Sequence, residues 1–253
     1  MRKLIFLLFL CYSFIETCFS QRDVKTEKIG TPLIGFHYGI NKPTNDLSNR
    51  FGLMNHLGIL AGYKTKQNWF FGFDNNFIFG NQIQESNILN HLKDSYGNIT
   101  DVNGNIAIVP LFIRGFNTNL AIGKVIPIFS PNLNSGIFIH GGLGYFAYKI
   151  RIESNSQVIP QIELDYKKGY DRLTLGLNTH QFIGYSYMSN NGFINWYLGF
   201  YAQQGFTKNQ RNIFFDQPAT PVSKSLRKDF SYGLKIGWYI PFYKRKPKEF
   251  YYN

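Results

Sequence analysis

From Phe230 to Ile240 the sequence alternates without a break. Phe230, Tyr232, Leu234, Ile236, Trp238 and Ile240 fall on one face, and Ser231, Gly233, Lys235, Gly237 and Tyr239 on the other. Successive side chains of a strand point to opposite sides, so a period of two marks a strand lying between two different environments. One environment is wholly apolar and ends in interface-type aromatics; the other is small or polar. The length suits a tilted transmembrane strand, which needs about 9–11 residues.

The pattern recurs along the chain. A first strand is predicted near Leu33 to Ile40, with Ile34, Phe36, Tyr38 and Ile40 opposite Gly35, His37 and Gly39. Others follow near Leu53 to Lys64, Trp69 to Phe79, Asn105 to Gly115, Ser135 to Ile152, Leu173 to Tyr187 and Phe193 to Phe206. The segment Asn105 to Gly115 is apolar on both faces. The alternation of Ser135 to Ile152 shifts phase near Lys149, which suggests a bulge. Aromatics make up 18% of the chain and charged residues 17%, with a slightly negative mean hydropathy of −0.21, as expected of strands whose faces differ.

The N-terminus has the form of a secretory signal over residues 1–20. Arg2 and Lys3 precede the apolar run Leu4 to Leu10, and Ser20 ends a plausible cleavage site, leaving 21–253 as one barrel domain. A lipid-bearing Cys18 is the alternative, but Glu16 fits a lipobox poorly. Both cysteines, Cys11 and Cys18, lie in this leader, so the mature chain is expected to carry no disulfide and no Cys-ligated metal. No later run of about 18 apolar residues could cross a bilayer as a helix. Any span must therefore be built of strands, and strands in lipid must close into a barrel.

The connectors alternate in length. Thr65 to Asn68 and Met188 to Gly192 are short; Asn41 to Gly52, Asn81 to Gly104, Glu153 to Asp171 and Lys208 to Arg227 are long. Phe116 to Asn134, with Pro127 and Pro131, reads as one long turn on the short side. The expected fold is all-β, a transmembrane antiparallel up-and-down barrel of eight strands, with both termini periplasmic and the long loops outside. A water-soluble β-sandwich would also alternate, but with its apolar face turned inward.

Near the C-terminus, Lys235, Gly237, Ile240 and Phe242 look like the β-signal read by the barrel-assembly machinery, although Phe242 is not terminal. The mature chain resembles small outer-membrane β-barrels of Bacteroidota, the broad OmpX-like and PorT-like class. The segments that carry the likeness are Pro131 to Gly136, Gly169 to Thr174 and Tyr243 to Tyr252. The resemblance implies fold and location. It implies no single activity, because the class hosts adhesins, enzymes and secretion accessories.

An eight-stranded barrel is just wide enough to be filled by its own side chains. Alternation points His37, His56, Asp74, His140, His180 and Lys235 inward, with Asn76, Asn178, Asn195, Tyr201 and Gln203. Buried charges need partners, so an ion pair between Asp74 and Lys235 is expected within a polar network. The four histidines come from four strands, and no metal or other cofactor is expected. For an enzyme, Tyr187-Met188-Ser189-Asn190 echoes the His-x-Ser-Asn pattern of outer-membrane lipid A deacylases. Tyr187 stands where the general base belongs, and a serine without its base is a poor nucleophile.

The formal charge is +12, dispersed except for Lys244, Arg245, Lys246 and Lys248 in the tail 243–253. No recognised module accompanies the cluster, which argues against nucleic acid. It reads as an interfacial anchor, or as a periplasmic docking peptide. The expected partners are outer-membrane lipid and lipopolysaccharide, the assembly machinery during biogenesis, and an envelope protein complex. The expected role is that of a non-enzymatic structural or accessory subunit with a filled lumen. A narrow pore or small-ligand binder is the alternative.

Overall fold

The computed structural model describes residues 25–85, 87–154, 157–190 and 194–243. The signal segment 1–20 and the basic residues Lys244, Arg245, Lys246 and Lys248 lie outside them. The described strands are β1 (Thr31–Asn45), β2 (Met54–Lys64), β3 (Trp69–Gly80), β4 (Ile99–Thr100), β5 (Ile106–Ala107), β6 (Leu111–Ile126), β7 (Gly136–Ile152), β8 (Thr174–Met188), β9 (Asn195–Asn209) and β10 (Arg227–Pro241). Eight of them close into an antiparallel barrel in the order β1-β10-β9-β8-β7-β6-β3-β2, while β4 and β5 form a small hairpin in a loop.

Closure fixes the stagger. Following paired residues once round the wall leads from Ile34 through Ala61, Phe73, Leu120, Leu143, Thr179, Gln204 and Phe230 back to β1 at Thr44, ten residues beyond the start. Such a shift tilts the strands and sets the barrel's width, and here it leaves a lumen that side chains can fill.

The outward face decides between a barrel in lipid and a sandwich in water. Leu143, Leu177 and Phe200 are 68%, 69% and 69% exposed, and they stand in a continuous belt with Phe36, Leu57, Phe73 and Ile236. Trp69, Tyr185, Trp196 and Trp238 edge this belt at one end of the barrel. A wall of that kind is costly in water and is what a bilayer core requires. One end carries the β2–β3 turn at 65–68, the connection 127–135 and both described chain ends; it is called the turn end. The other carries loops 46–53, 81–110, 153–173 and 210–226; it is called the loop end.

Two sequence expectations are corrected. The fourth barrel strand is Leu111–Ile126, not Asn105 to Gly115, so most of the expected long turn is strand. Its polar run misleads because Asn117 and Asn119 point into a polar lumen, while the outward Thr118 bonds Asn75 on β3. In β7 there is no bulge: its register with β6 is uninterrupted to Ile152, and with β8 to Tyr148. What changes near Lys149 is the surroundings. Above the lipid the outward positions become Lys149 and Arg151, while the inward Ile150 and Ile152 pack beneath the loops. Strand β1 also runs five residues past Ile40, pairing through Thr44 and Asn45 with β10.

Candidate functional site in the barrel lumen

The lumen is layered. Towards the turn end, Phe70, Phe138, Phe182, Tyr197 and Tyr239 form an aromatic floor. Towards the loop end, Phe51, Met54, Ile78, Phe146, Tyr148 and Ile150 form an apolar ceiling. Between them lies a polar layer, centred on an ion pair. Lys235 Nζ donates to Asp74 Oδ2 at 2.8 Å and to Oδ1 at 3.2 Å, with both side chains fully buried. The ammonium also sits 3.9 Å from the Tyr201 ring centroid.

Amides extend the pair around the wall. Asn76 Nδ2 donates to Asp74 Oδ1 at 2.9 Å and to Asn117 Oδ1 at 2.7 Å. Asn117 Nδ2 donates to Gln203 Oε1 at 2.8 Å, and Asn178 Nδ2 to Asn119 Oδ1 at 2.8 Å. His37 bridges Asn76 Oδ1 at 2.7 Å and the Tyr197 hydroxyl at 3.0 Å. An inward glycine makes room for it: a Cβ on Gly58 would lie 2.3 Å from His37 Nε2. His56 packs near His37 and Tyr201, at 6.0 Å and 5.4 Å between ring centroids.

His140 and His180 form a second pair. Nε2 of His180 lies 3.3 Å from Nδ1 of His140 and 3.7 Å from Asp74 Oδ2. Asp74, His140 and His180 thus turn three ligand-type atoms towards one point. The geometry alone resembles part of a tetrahedral site. Two features oppose a metal there. Lys235 already places a cation on the carboxylate. A metal on these two nitrogens would also leave N–H groups on His140 Nε2 and His180 Nδ1, and neither has a partner among the described residues, where metal-bound imidazoles normally donate to an acceptor.

The six residues singled out in the sequence therefore meet in one layer, and the expected Asp74–Lys235 contact is direct. The deacylase-like serine is elsewhere. Ser189 is buried beyond the turn end of β8, and its backbone N–H donates to Asn195 Oδ1 at 3.1 Å. His180 stands nine positions back along the strand, about 30 Å away at strand rise. Of the terminal motif, Lys235 and Gly237 point inward and Ile240 outward, while the Phe242 N–H donates to Pro32 O at 2.9 Å. The Tyr197 ring lies over Gly237, where a Cβ would meet Cζ at 2.4 Å.

One charged cluster has no counterpart among the residues named from the sequence. All four loops at the loop end are tied to two arginines. Arg50 of the first loop donates to Thr174 Oγ1 and Asn209 Oδ1, both at 2.8 Å. Arg172 of the third donates to Glu85 of the second at 2.8 Å, and in bidentate fashion to Asp216 of the fourth at 2.8 and 2.6 Å. Burial alone would lower the Arg172 pKa, but the hydrogen bonds to Asp216 and Glu85 outweigh it and hold the group above the ordinary arginine value. Arg211 forks onto Asp171 at 2.8 and 2.6 Å. The segment Gly169 to Thr174 did stand out in the sequence, but only as a point of resemblance.

Fold and lumen define the class: a closed eight-stranded antiparallel barrel with a lipid-type outer wall, a packed polar core and a pinned cap of loops. No protein-family model matches the sequence, and no curated protein matches it. Among solved structures, Neisserial surface protein A is similar over 85% of this chain and 99% of its own, with 10% identity and a TM-score of 0.46. Ail, the attachment invasion locus protein of Yersinia pestis, covers 83% of this chain and 99% of its own at 11% identity, TM-score 0.38. OprG from Pseudomonas aeruginosa covers 87% and 99% at 11% identity, TM-score 0.36.

Proposed function

We propose that this chain is an outer-membrane barrel that neither conducts nor catalyses, and serves as a structural or accessory subunit of an envelope assembly. Its turn end, with both described chain ends, faces the periplasm and its cap faces outward, the usual arrangement for short turns and long loops. The reading is carried by the lumen. The fully buried Asp74–Lys235 pair lies between the Phe138 and Phe146 layers, a packing that argues against a water-filled pore. The distance from Ser189 to the lumen histidines speaks against a serine hydrolase.

Planar-bilayer recording tests the first half: reconstituted protein is expected to give no channels. Steps of constant conductance that vanish on Asp74→Leu would overturn it. Purification of tagged protein from its native outer membrane tests the second half, with stoichiometric partner proteins expected.

A further inference from the structure

We propose that the outward faces of β6 and β7, just above the lipid belt, form a binding site for a lipid-borne phosphate made by Arg114, Lys149 and Arg151. The inference rests on the reading of the wall as lipid-facing, and it adds a ligand to that wall.

The first observation is the one-sided charge of the wall. The described barrel strands contain two acids, Asp74 and Asp229, and both are buried inside. The outward positions at the loop end carry Lys42, Arg114, Lys149, Arg151, Lys208 and Lys228.

The second observation is local. Arg114 and Lys149 are directly opposed partners in the β6–β7 ladder, and Arg151 faces Phe112 one outward step further on. Side chains opposed in this way start about 5 Å apart, and like charges there repel. The protein relieves this only in part. Arg114 uses Nη1 on Ile113 O at 2.8 Å and Arg151 uses Nε on Glu153 Oε1 at 2.7 Å. Among the described residues, the Lys149 ammonium has no partner. Arg114 leans over the Phe112 ring, 5.3 Å from its centroid, and Phe112 is the ladder partner of Arg151, so the two guanidinium groups flank one ring beside Lys149. A phosphate there turns the repulsion into charge-assisted hydrogen bonds, with the guanidinium fork matching two of its oxygens. Phe116 lies one outward step below the Arg114–Lys149 pair and Tyr145 two steps below it, on the acyl-chain side.

Two lipids offer this chemistry: a phosphorylated glucosamine lipid of the lipid A type, and a glycerophospholipid such as phosphatidylglycerol. The test uses full-length mature protein in phosphatidylcholine nanodiscs doped with bisphosphorylated lipid A, with dephosphorylated lipid A, or with phosphatidylglycerol. Retained lipid is counted by native mass spectrometry. The variant R114Q/K149Q/R151Q is compared with K42Q/K208Q/K228Q, which removes the same charge elsewhere on the rim.

The site predicts a loss of affinity of about tenfold or more in the first variant and under about threefold in the second. Tighter binding of lipid A assigns the site to the glycolipid; equal or tighter binding of phosphatidylglycerol assigns it to the glycerophospholipid. Equal losses in both variants overturn the site, as does equally tight binding of dephosphorylated lipid A. Should the triple variant fail to fold, K149Q alone, at an exposed position, is expected to lose about threefold. Protein that enters nanodiscs yet ignores phosphate defeats this site only. Protein that never enters them defeats the membrane reading as well.

Discussion

Lys235 and Asp74 stand three strands apart round the wall, and the ammonium of one lies 2.8 Å from the carboxylate of the other across the lumen. Removing either charge alone strands its partner in a sealed interior. Asp74→Asn is expected to destabilise the barrel by about 3–5 kcal/mol, whereas Asp74→Leu together with Lys235→Met costs far less, because no unpaired charge remains. Urea unfolding in lipid vesicles, followed by tryptophan fluorescence, measures both. Equal losses in the single and double variants would show that the pair is not the unit of stability.

The same pair governs metal binding. Asp74, His140 and His180 converge, but Lys235 supplies the cation. Wild-type protein is therefore expected to show no rise in Tm with zinc. Lys235→Ala frees the carboxylate and is expected to show a zinc-dependent rise, since a ligand that binds only the folded state stabilises it. Zinc stabilisation of the wild type at the same concentrations would mean that Lys235 does not exclude the ion.

What could be read from the sequence follows from how local each signal is. The barrel was legible because lipid outside and polar packing inside impose one period on every strand, clearest from Phe230 to Ile240. The inward set followed from parity, so His37, His56, Asp74, His140, His180 and Lys235 could be named together. Parity assigns a side but not a depth, so the contact between Asp74 and Lys235 was an expectation that needed the register to become a distance. Parity misleads where the polarity of the two faces does not contrast. Asn117-Thr118-Asn119 looks like a turn because all three residues are polar, yet two face the lumen and one faces lipid with its own partner. Above the lipid at Lys149 the contrast inverts, which imitates a bulge. The cap was illegible because Arg50, Glu85, Arg172 and Asp216 come from four loops with no period.

Arg172 is the joint between three of those loops, through Glu85 and Asp216, and its guanidinium stacks 3.9 Å from the Phe214 ring centroid. Arg172→Met removes the fork and leaves Asp216 unpaired in a half-closed site. The cap is then expected to open by about 2–4 kcal/mol locally while the barrel keeps its strands. Hydrogen exchange should show this as lost protection confined to loops 81–110, 153–173 and 210–226. Arg172→Lys is expected to recover only part of it, because an ammonium cannot make the planar two-point contact. Loss of protection in β3 or β10 would instead make Arg172 a residue of the barrel's own stability.

Besides the Asn75–Thr118 pair, the lipid-facing wall carries a polar cluster on β8 and β9. Gln181 on β8 and Gln204 on β9 exchange reciprocal amide hydrogen bonds at 2.9 and 2.8 Å, and the Thr179 hydroxyl donates to Gln204 Oε1 at 2.6 Å. Polar groups in lipid are tolerated when they satisfy one another, and the harm lies in leaving one unpaired. Gln181→Leu is therefore expected to destabilise the barrel by about 1–2 kcal/mol, although it makes the wall more apolar. Thr179→Val, Gln181→Leu and Gln204→Leu combined remove every member of the cluster and are expected to restore or exceed wild-type stability. Unfolding in vesicles distinguishes the cases. If Gln181→Leu stabilises by itself, the amides are solvated by water or headgroups, and the centre of the membrane lies elsewhere on β8 and β9.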